Sequence, residues 1–313
     1  MFLFSIFVAL GAALSFALAA VFQQEAARGA DPGASLTPRL LLILLHRPKW
    51  LAGVGLLLCG YGLQALALSA GPVAVVQPVV ATELAFAIPL GIWRGHRRAG
   101  RREWTGIAAV LVGVSALLWI ASPVSGSAQP SRLDWLLCLV PVGTVIAALL
   151  TVSLRIKGPR RAVLLGAAAG LAFSLLAILT KAVTHNLSVS VGSTFANWEI
   201  YLLVGLGIAA LVISQSAYQA GPLALSMPAI ALLEPTVAVI IGDTAFHEQA
   251  RLSGGALAVE LIAAAVAASG LLALASSPTV LAIYEQGTDP TDRTAQSRSR
   301  HHRGLSTSGS SPP

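Results

Sequence analysis

Nine stretches of mostly apolar residues run through this chain of 313: 2–22, 50–70, 72–93, 104–121, 134–154, 162–182, 199–219, 222–242 and 254–275. A helix rising about 1.5 Å per residue needs roughly 20 such residues to cross a bilayer. Backbone groups in hydrocarbon must find partners within their own segment, so each run is expected to be a helix. The expected fold class is therefore an all-α polytopic membrane protein with nine transmembrane helices. Only 11% of residues are charged and the mean hydropathy is +0.78, against about 25% charged in soluble domains. Little chain is left for a soluble domain. Cys59 and Cys138 fall in different apolar runs, which suggests neither a disulfide framework nor a thiolate metal site. Ala17-Leu18-Ala19 resembles a signal-peptidase site, but no Lys or Arg precedes the first apolar run, so it is read as a retained helix.

The net charge of +7 does not point to nucleic acid, because of where the charges lie. Seventeen of the twenty Lys and Arg residues fall in four places: Arg28 to Lys49, Arg94 to Arg102, Arg155 to Arg161, and a tail from Arg293 to Arg303. Arg132, Lys181 and Arg251 fall at the alternate connections. With nine spans the positive-inside rule puts the C-terminus in the cytoplasm and the N-terminus outside, in a cell (inner) membrane.

Ala70-Gly71-Pro72-x-Ala74-x-x-x-Pro78 recurs as Ala220-Gly221-Pro222-x-Ala224-x-x-x-Pro228. Gly accepts unusual backbone angles and Pro donates no amide hydrogen, so both copies read as tight hairpins between helices. Leu10-Gly11-Ala12-Ala13 against Leu165-Gly166-Ala167-Ala168, and Ala121-Ser122-Pro123 against Ser276-Ser277-Pro278, repeat in the same order. The chain divides into a first repeat at 1–121, a linking helix and loops at 122–161, a second repeat at 162–278 and a tail at 279–313, which should be disordered and cytoplasmic. An odd number of helices before the second copy inverts it. Residues 36–46 carry a short apolar run bounded by Arg39 and by His46, Arg47 and Lys49, and are expected to form an interfacial helix. If that run crosses instead, the protein has ten helices. Asn186-Leu187-Ser188 has the form of a glycosylation sequon, which also arises by chance.

Arg47-Pro48-Lys49-Trp50-Leu51-Ala52-Gly53, Gln64, the first Ala-Gly-Pro hairpin, Pro78 and the Ala121-Ser122-Pro123 ending resemble the NIPA-like branch of the drug/metabolite transporter (DMT) superfamily, with an EamA-like repeat. Lys181, Trp198, Gln215 and Tyr218 extend the resemblance through the second half, to about residue 278. It implies a nine-helix transporter fold. Animal members of that branch are associated with magnesium transport, and they carry a Glu two residues after the position of Cys59, where this chain has Tyr61. The broader superfamily moves small metabolites, amino acids and drugs.

Ionisable residues at mid-membrane are costly and usually face a bundle interior or a water-filled path. Glu83 and Glu234 fall near the middle of the third and eighth runs, five and six residues after the paired prolines. An inverted repeat would bring them together, where two carboxylates could share a proton or coordinate a cation; the alternative is a neutral Glu bonded to a neighbouring helix. Gln64 and Gln215 precede the hairpins and could bind a substrate, although interhelical hydrogen bonding is the simpler reading. Glu25, with Gln23 and Gln24 beside it, Lys181 and Glu260 are candidate gate residues; a water-facing helix end is the ordinary alternative for the first group and a snorkelling amine for Lys181, while Glu260 could be a third acidic site. Gly166-x-x-x-Gly170 permits close packing within the bundle or, alternatively, in a homodimer.

No phosphate-binding loop, nucleophile elbow or His-Glu-x-x-His appears. An ATP-driven pump, an enzyme and a bound cofactor are not expected, and the metal ligands, if any, are unassigned. The sequence points to a secondary transporter of a small solute or ion, working by alternating access. A magnesium or divalent cation pathway is the alternative within transport; a non-transporting scaffold or sensor acting through the basic tail is the alternative outside it.

Overall fold

The computed structural model describes residues 2–70, 76, 79–94, 97–120, 130–246 and 254–282. It is helical throughout, with no strand among the described residues. In chain order the helices are α1 (Phe2–Arg28), α2 (Pro38–Leu45), α3 (Pro48–Ala70), α4 (Glu83–Arg94), α5 (Arg101–Ile120), α6 (Arg132–Arg155), α7 (Pro159–Val189), α8 (Val191–Ala196), α9 (Trp198–Ala220), α10 (Leu223–Phe246) and α11 (Gly254–Ala275). Among the described residues five helices, α1, α3, α6, α7 and α9, carry a stretch long and apolar enough to cross a membrane. Their outward faces are apolar too: Phe7, Leu58, Leu137, Leu154 and Ile208 are exposed. Large apolar side chains on both the inside and the outside are what a bilayer solvent requires. The protein is a multi-pass helical membrane protein.

Local chemistry sets several boundaries. Ser131 caps α6 by accepting from the Asp134 amide while Asp134 accepts from the Ser131 amide, a reciprocal capping box. Gly158, at φ +86°, makes the turn into α7, where Pro159 sits at the first helical position. The sequence places the end of that span at 182, but the helix continues two turns further, to Val189. Asn186 is consequently a buried helical residue, unlike an acceptor in an open loop. Helix α2 has 8 residues, about 12 Å at the rise of a helix. It buries Leu40 and Leu44 against α3 and α9 while Leu42 and Leu45 face outward.

Small residues let the helices approach closely. Along α5 and α11, which run antiparallel, a Cβ on Gly113 would meet the Ala263 carbonyl oxygen at 2.5 Å, and one on Gly270 would meet the Gly106 carbonyl oxygen at 2.5 Å. Helices α7 and α10 run parallel, with Gly166 against the Ser226 backbone and Gly170 against Ile230. The Gly166-x-x-x-Gly170 pair is thus used within the bundle. The central core joins α1, α4, α5, α10 and α11 through Ala17, Leu84, Ile88, Val110, Leu225 and Ala267. A second cluster joins α6, α7, α9 and α10, and includes Trp135, Cys138 and Leu179.

Beyond α11, Ser277 and Val280 are buried. The Ser277 hydroxyl donates to Glu103 Oε1, and Arg102 Nη2 donates to Ser276 Oγ at 2.7 Å. These contacts fasten the segment after α11 to the first turn of α5.

Candidate functional site

The sequence places Glu83 in mid-helix; the structure places it at a break. Residues 79–81 are helical, Thr82 is a turn, and α4 begins at Glu83. The Thr82 hydroxyl and amide both donate to the Val79 carbonyl, at 2.6 and 3.1 Å, and the Ala85 amide donates to Thr82 O at 2.9 Å. A three-residue hydrogen-bond pattern thus interrupts the regular ladder. Non-helical backbone at membrane depth is tolerated where protein or a polar cavity surrounds it.

Glu234 lies on α10, which packs against α4, and the two carboxylates are within electrostatic reach of each other. Two phenols complete the group. Tyr61 on α3 and Tyr218 on α9 each interact electrostatically with both Glu83 and Glu234. Four polar side chains from α3, α4, α9 and α10 therefore lie within electrostatic reach of one another. Glu83, Glu234 and Tyr218 are half-buried, whereas Tyr61 is 57% exposed and stacks edge-on against Phe16 at 5.1 Å. The buried Ser226 hydroxyl, which has no hydrogen-bond partner among the described residues, lies eight residues before Glu234 on α10, a spacing that keeps both on one helix face.

The expected glutamines behave otherwise. Gln215 is fully buried, donates through Nε2 to Gln23 Oε1 at 2.8 Å, and accepts from Trp50 Nε1 at 3.2 Å. Both ends of its amide are engaged between α1, α3 and α9, as an interhelical tie. Gln64 is half-buried on α3. Gly221 and Pro222 form the buried α9–α10 hairpin, and Gln24 Nε2 donates to the Gly221 carbonyl at 2.6 Å. Pro228 is buried within α10. Gly71, Pro72, Pro78 and the side chain of Glu260 lie outside the described residues.

Glu25, the first of the candidate gate residues, joins three helices. It pairs with Lys49 at the start of α3 and with Arg94 Nη2 at the end of α4, the latter at 2.8 Å. The Arg94 guanidinium also sits over the Phe22 ring, 5.7 Å from its centroid. Lys181 is exposed on α7, far along the chain from this cluster. No group of three or more His, Cys, Asp or Glu side chains suited to a metal occurs among the described residues.

In the sequence, Tyr61, Tyr218 and Trp50 enter only as positions of the family resemblance, and Gln23 only as a neighbour of Glu25 at a possible gate; none of them is read there as a partner of Glu83, Glu234 or Gln215. A phenol inside an apolar run was the available signal for Tyr61 and Tyr218, since its hydroxyl needs a polar neighbour when buried.

Compared with known proteins, the chain is 30% identical over 251 residues to an uncharacterized protein of Corynebacterium glutamicum, covering 79% of this chain and 86% of that one. The two belong to one family. No family model and no solved structure matches the chain.

Proposed function

We propose that this protein is a secondary transporter of the NIPA-like branch of the DMT superfamily, moving a small cationic solute or ion by alternating access between inverted repeats. The observation that carries the reading is the electrostatic proximity of Glu83 and Glu234, one from each expected repeat, with Tyr61 and Tyr218 beside a broken helix. Two carboxylates out of water can hold a proton between them or bind a cation, and exchange of one for the other couples solute movement to protons. The position at which the resembled family carries a Glu is Tyr61, and it falls in this same site.

Several pairings support nine spans and an inverted repeat. The first and second runs of each half pack together, as α1 on α3 and α7 on α9. The runs that the repeat would place at the axis also meet: α4 with α10, and α5 with α11 in antiparallel fashion. Val76, the counterpart of Ser226, packs with Ala9 and Ala12 of α1, as Ser226 packs against Gly166 of α7. The short, half-buried α2 favours nine spans over ten. The Glu25, Lys49 and Arg94 cluster lies at the end that the basic loops assign to the cytoplasm, which fits a barrier there in one of the two access states. Rocking about the axis would break those pairs.

Magnesium is the specific cation to test, since it binds through one or two carboxylates while keeping several waters. Magnesium flux into proteoliposomes, followed with a metal dye and an internal pH dye, checks the proposal. Saturable flux that disappears in Glu83→Gln supports a cation carrier. Proton movement elicited by organic cations without magnesium flux directs the search to organic substrates. Loss of cellular function on deleting residues 283–313, with Glu83→Gln and Glu234→Gln both silent, would establish the scaffold or sensor reading instead.

A further inference from the structure

At the end of α4 the Arg97 amide donates to the Ile92 carbonyl at 3.3 Å. Arg97 and Arg98 lie beside Trp93 and Arg94, and the four side chains line an open recess of about 500 Å³, within the range of about 300–1,000 Å³ usual for small-ligand sites. Trp93 is 68% exposed, although it is the largest apolar side chain on this part of the helix. An exposed indole at the end of a membrane helix marks the headgroup level of the bilayer. The charges around it are unbalanced. Of the three guanidinium groups that line the recess, only Arg94 has a carboxylate partner among the described residues, Glu25, which Lys49 also contacts. Glu103, the next acidic group along the chain, is occupied by the Gly100 amide and the Ser277 hydroxyl.

From this recess we infer a binding site for the phosphate of an anionic phospholipid of the membrane leaflet facing the basic loops. Guanidinium forks match phosphate oxygens in pairs, whereas zwitterionic headgroups carry a compensating amine. The indole packs along the glycerol and upper acyl chain, and basic pockets at this depth attract acidic lipids. A nucleic acid would have to reach the recess through the headgroup layer. Because Arg94 holds Glu25 as well, the lipid phosphate and Glu25 compete for one guanidinium, so occupancy is expected to loosen the tie between α1 and α4.

Native mass spectrometry of the full chain in detergent, mixed with equal parts phosphatidylglycerol and phosphatidylcholine, tests the site. The expected result is preferential retention of phosphatidylglycerol, reduced about tenfold in Arg97→Gln/Arg98→Gln and unchanged in the tail control Arg300→Gln/Arg303→Gln. Both target arginines are exposed, so the double variant is expected to fold, and the single Arg97→Gln gives an intermediate loss. Equal retention by wild type and the double variant would overturn the inference, as would equal losses in the recess and tail variants. Inorganic phosphate that displaces the lipid at comparable concentration would assign the recess to a free anion and overturn the lipid reading.

Discussion

The Trp50 indole donates to the Gln215 amide oxygen across 165 residues of chain, and Gln215 donates in turn to Gln23. One fully buried amide thereby ties α1, α3 and α9 at a single level. Removing it leaves a buried donor on Trp50 and a buried acceptor on Gln23 without partners, at a cost of about 1–3 kcal/mol each in protein interiors. Gln215→Leu is therefore expected to lower thermal stability in detergent by several degrees while leaving the apparent KM for solute unchanged in the folded fraction. A raised KM at unchanged stability would place Gln215 in the substrate site.

The close approach of α5 and α11 rests on hydrogen atoms where other residues carry side chains. Gly113→Val and Gly270→Val each drive a side chain into a backbone carbonyl of the partner helix. Overpacking costs about 1–3 kcal/mol where side chains can yield, and more where backbone must move. Both variants should lose the monodisperse peak in size-exclusion chromatography, whereas Gly55→Ala, with open space around it, should keep it.

Glu103 makes the fastening of residues 276–282 pH-dependent. Burial alone would push its carboxyl up, but hydrogen bonds from the Ser277 hydroxyl, the Gly100 amide and Thr279 outweigh it and hold the group below its ordinary value of 4.5. A carboxylate depressed in the folded state stabilises at every pH above its unfolded value and loses that contribution as pH falls through the folded one. The segment after α11 should therefore stay protected from protease above pH 4.5 and become progressively cleavable as pH falls below that value. In Glu103→Gln, it should be cleavable already at neutral pH.

Much of the fold is legible in the sequence because the bilayer imposes it. Runs near 20 apolar residues become helices where the chain has no other way to satisfy its backbone, and α3, α6 and α9 follow the expected spans closely, whereas α1 and α7 run on past theirs. The departures are local. The third run is broken at Thr82, whose hydroxyl competes for a backbone carbonyl in a way that an apolar count ignores. The sixth extends to Val189 because Lys181 and Asn186, which read as the end of a span, are compatible with helix once past the hydrocarbon. At the site, the carboxylates were visible as lone charges in apolar runs. The tyrosines were not, since a Tyr among Leu and Gly is equally at home in an interface or a core, and only the approach of α3 and α9 to Glu83 and Glu234 distinguishes the uses.

The central claim is that Glu83 and Glu234 act as one site. A double-mutant comparison in proteoliposomes tests it most directly, with solute-driven proton movement measured for wild type, Glu83→Gln, Glu234→Gln and the double variant. Residues that work as a unit are strongly non-additive, so each single change should abolish at least about nine-tenths of the signal, with the double variant no worse than either single. Wild-type rates in a folded single variant, or losses that multiply in the double, would contradict a shared site.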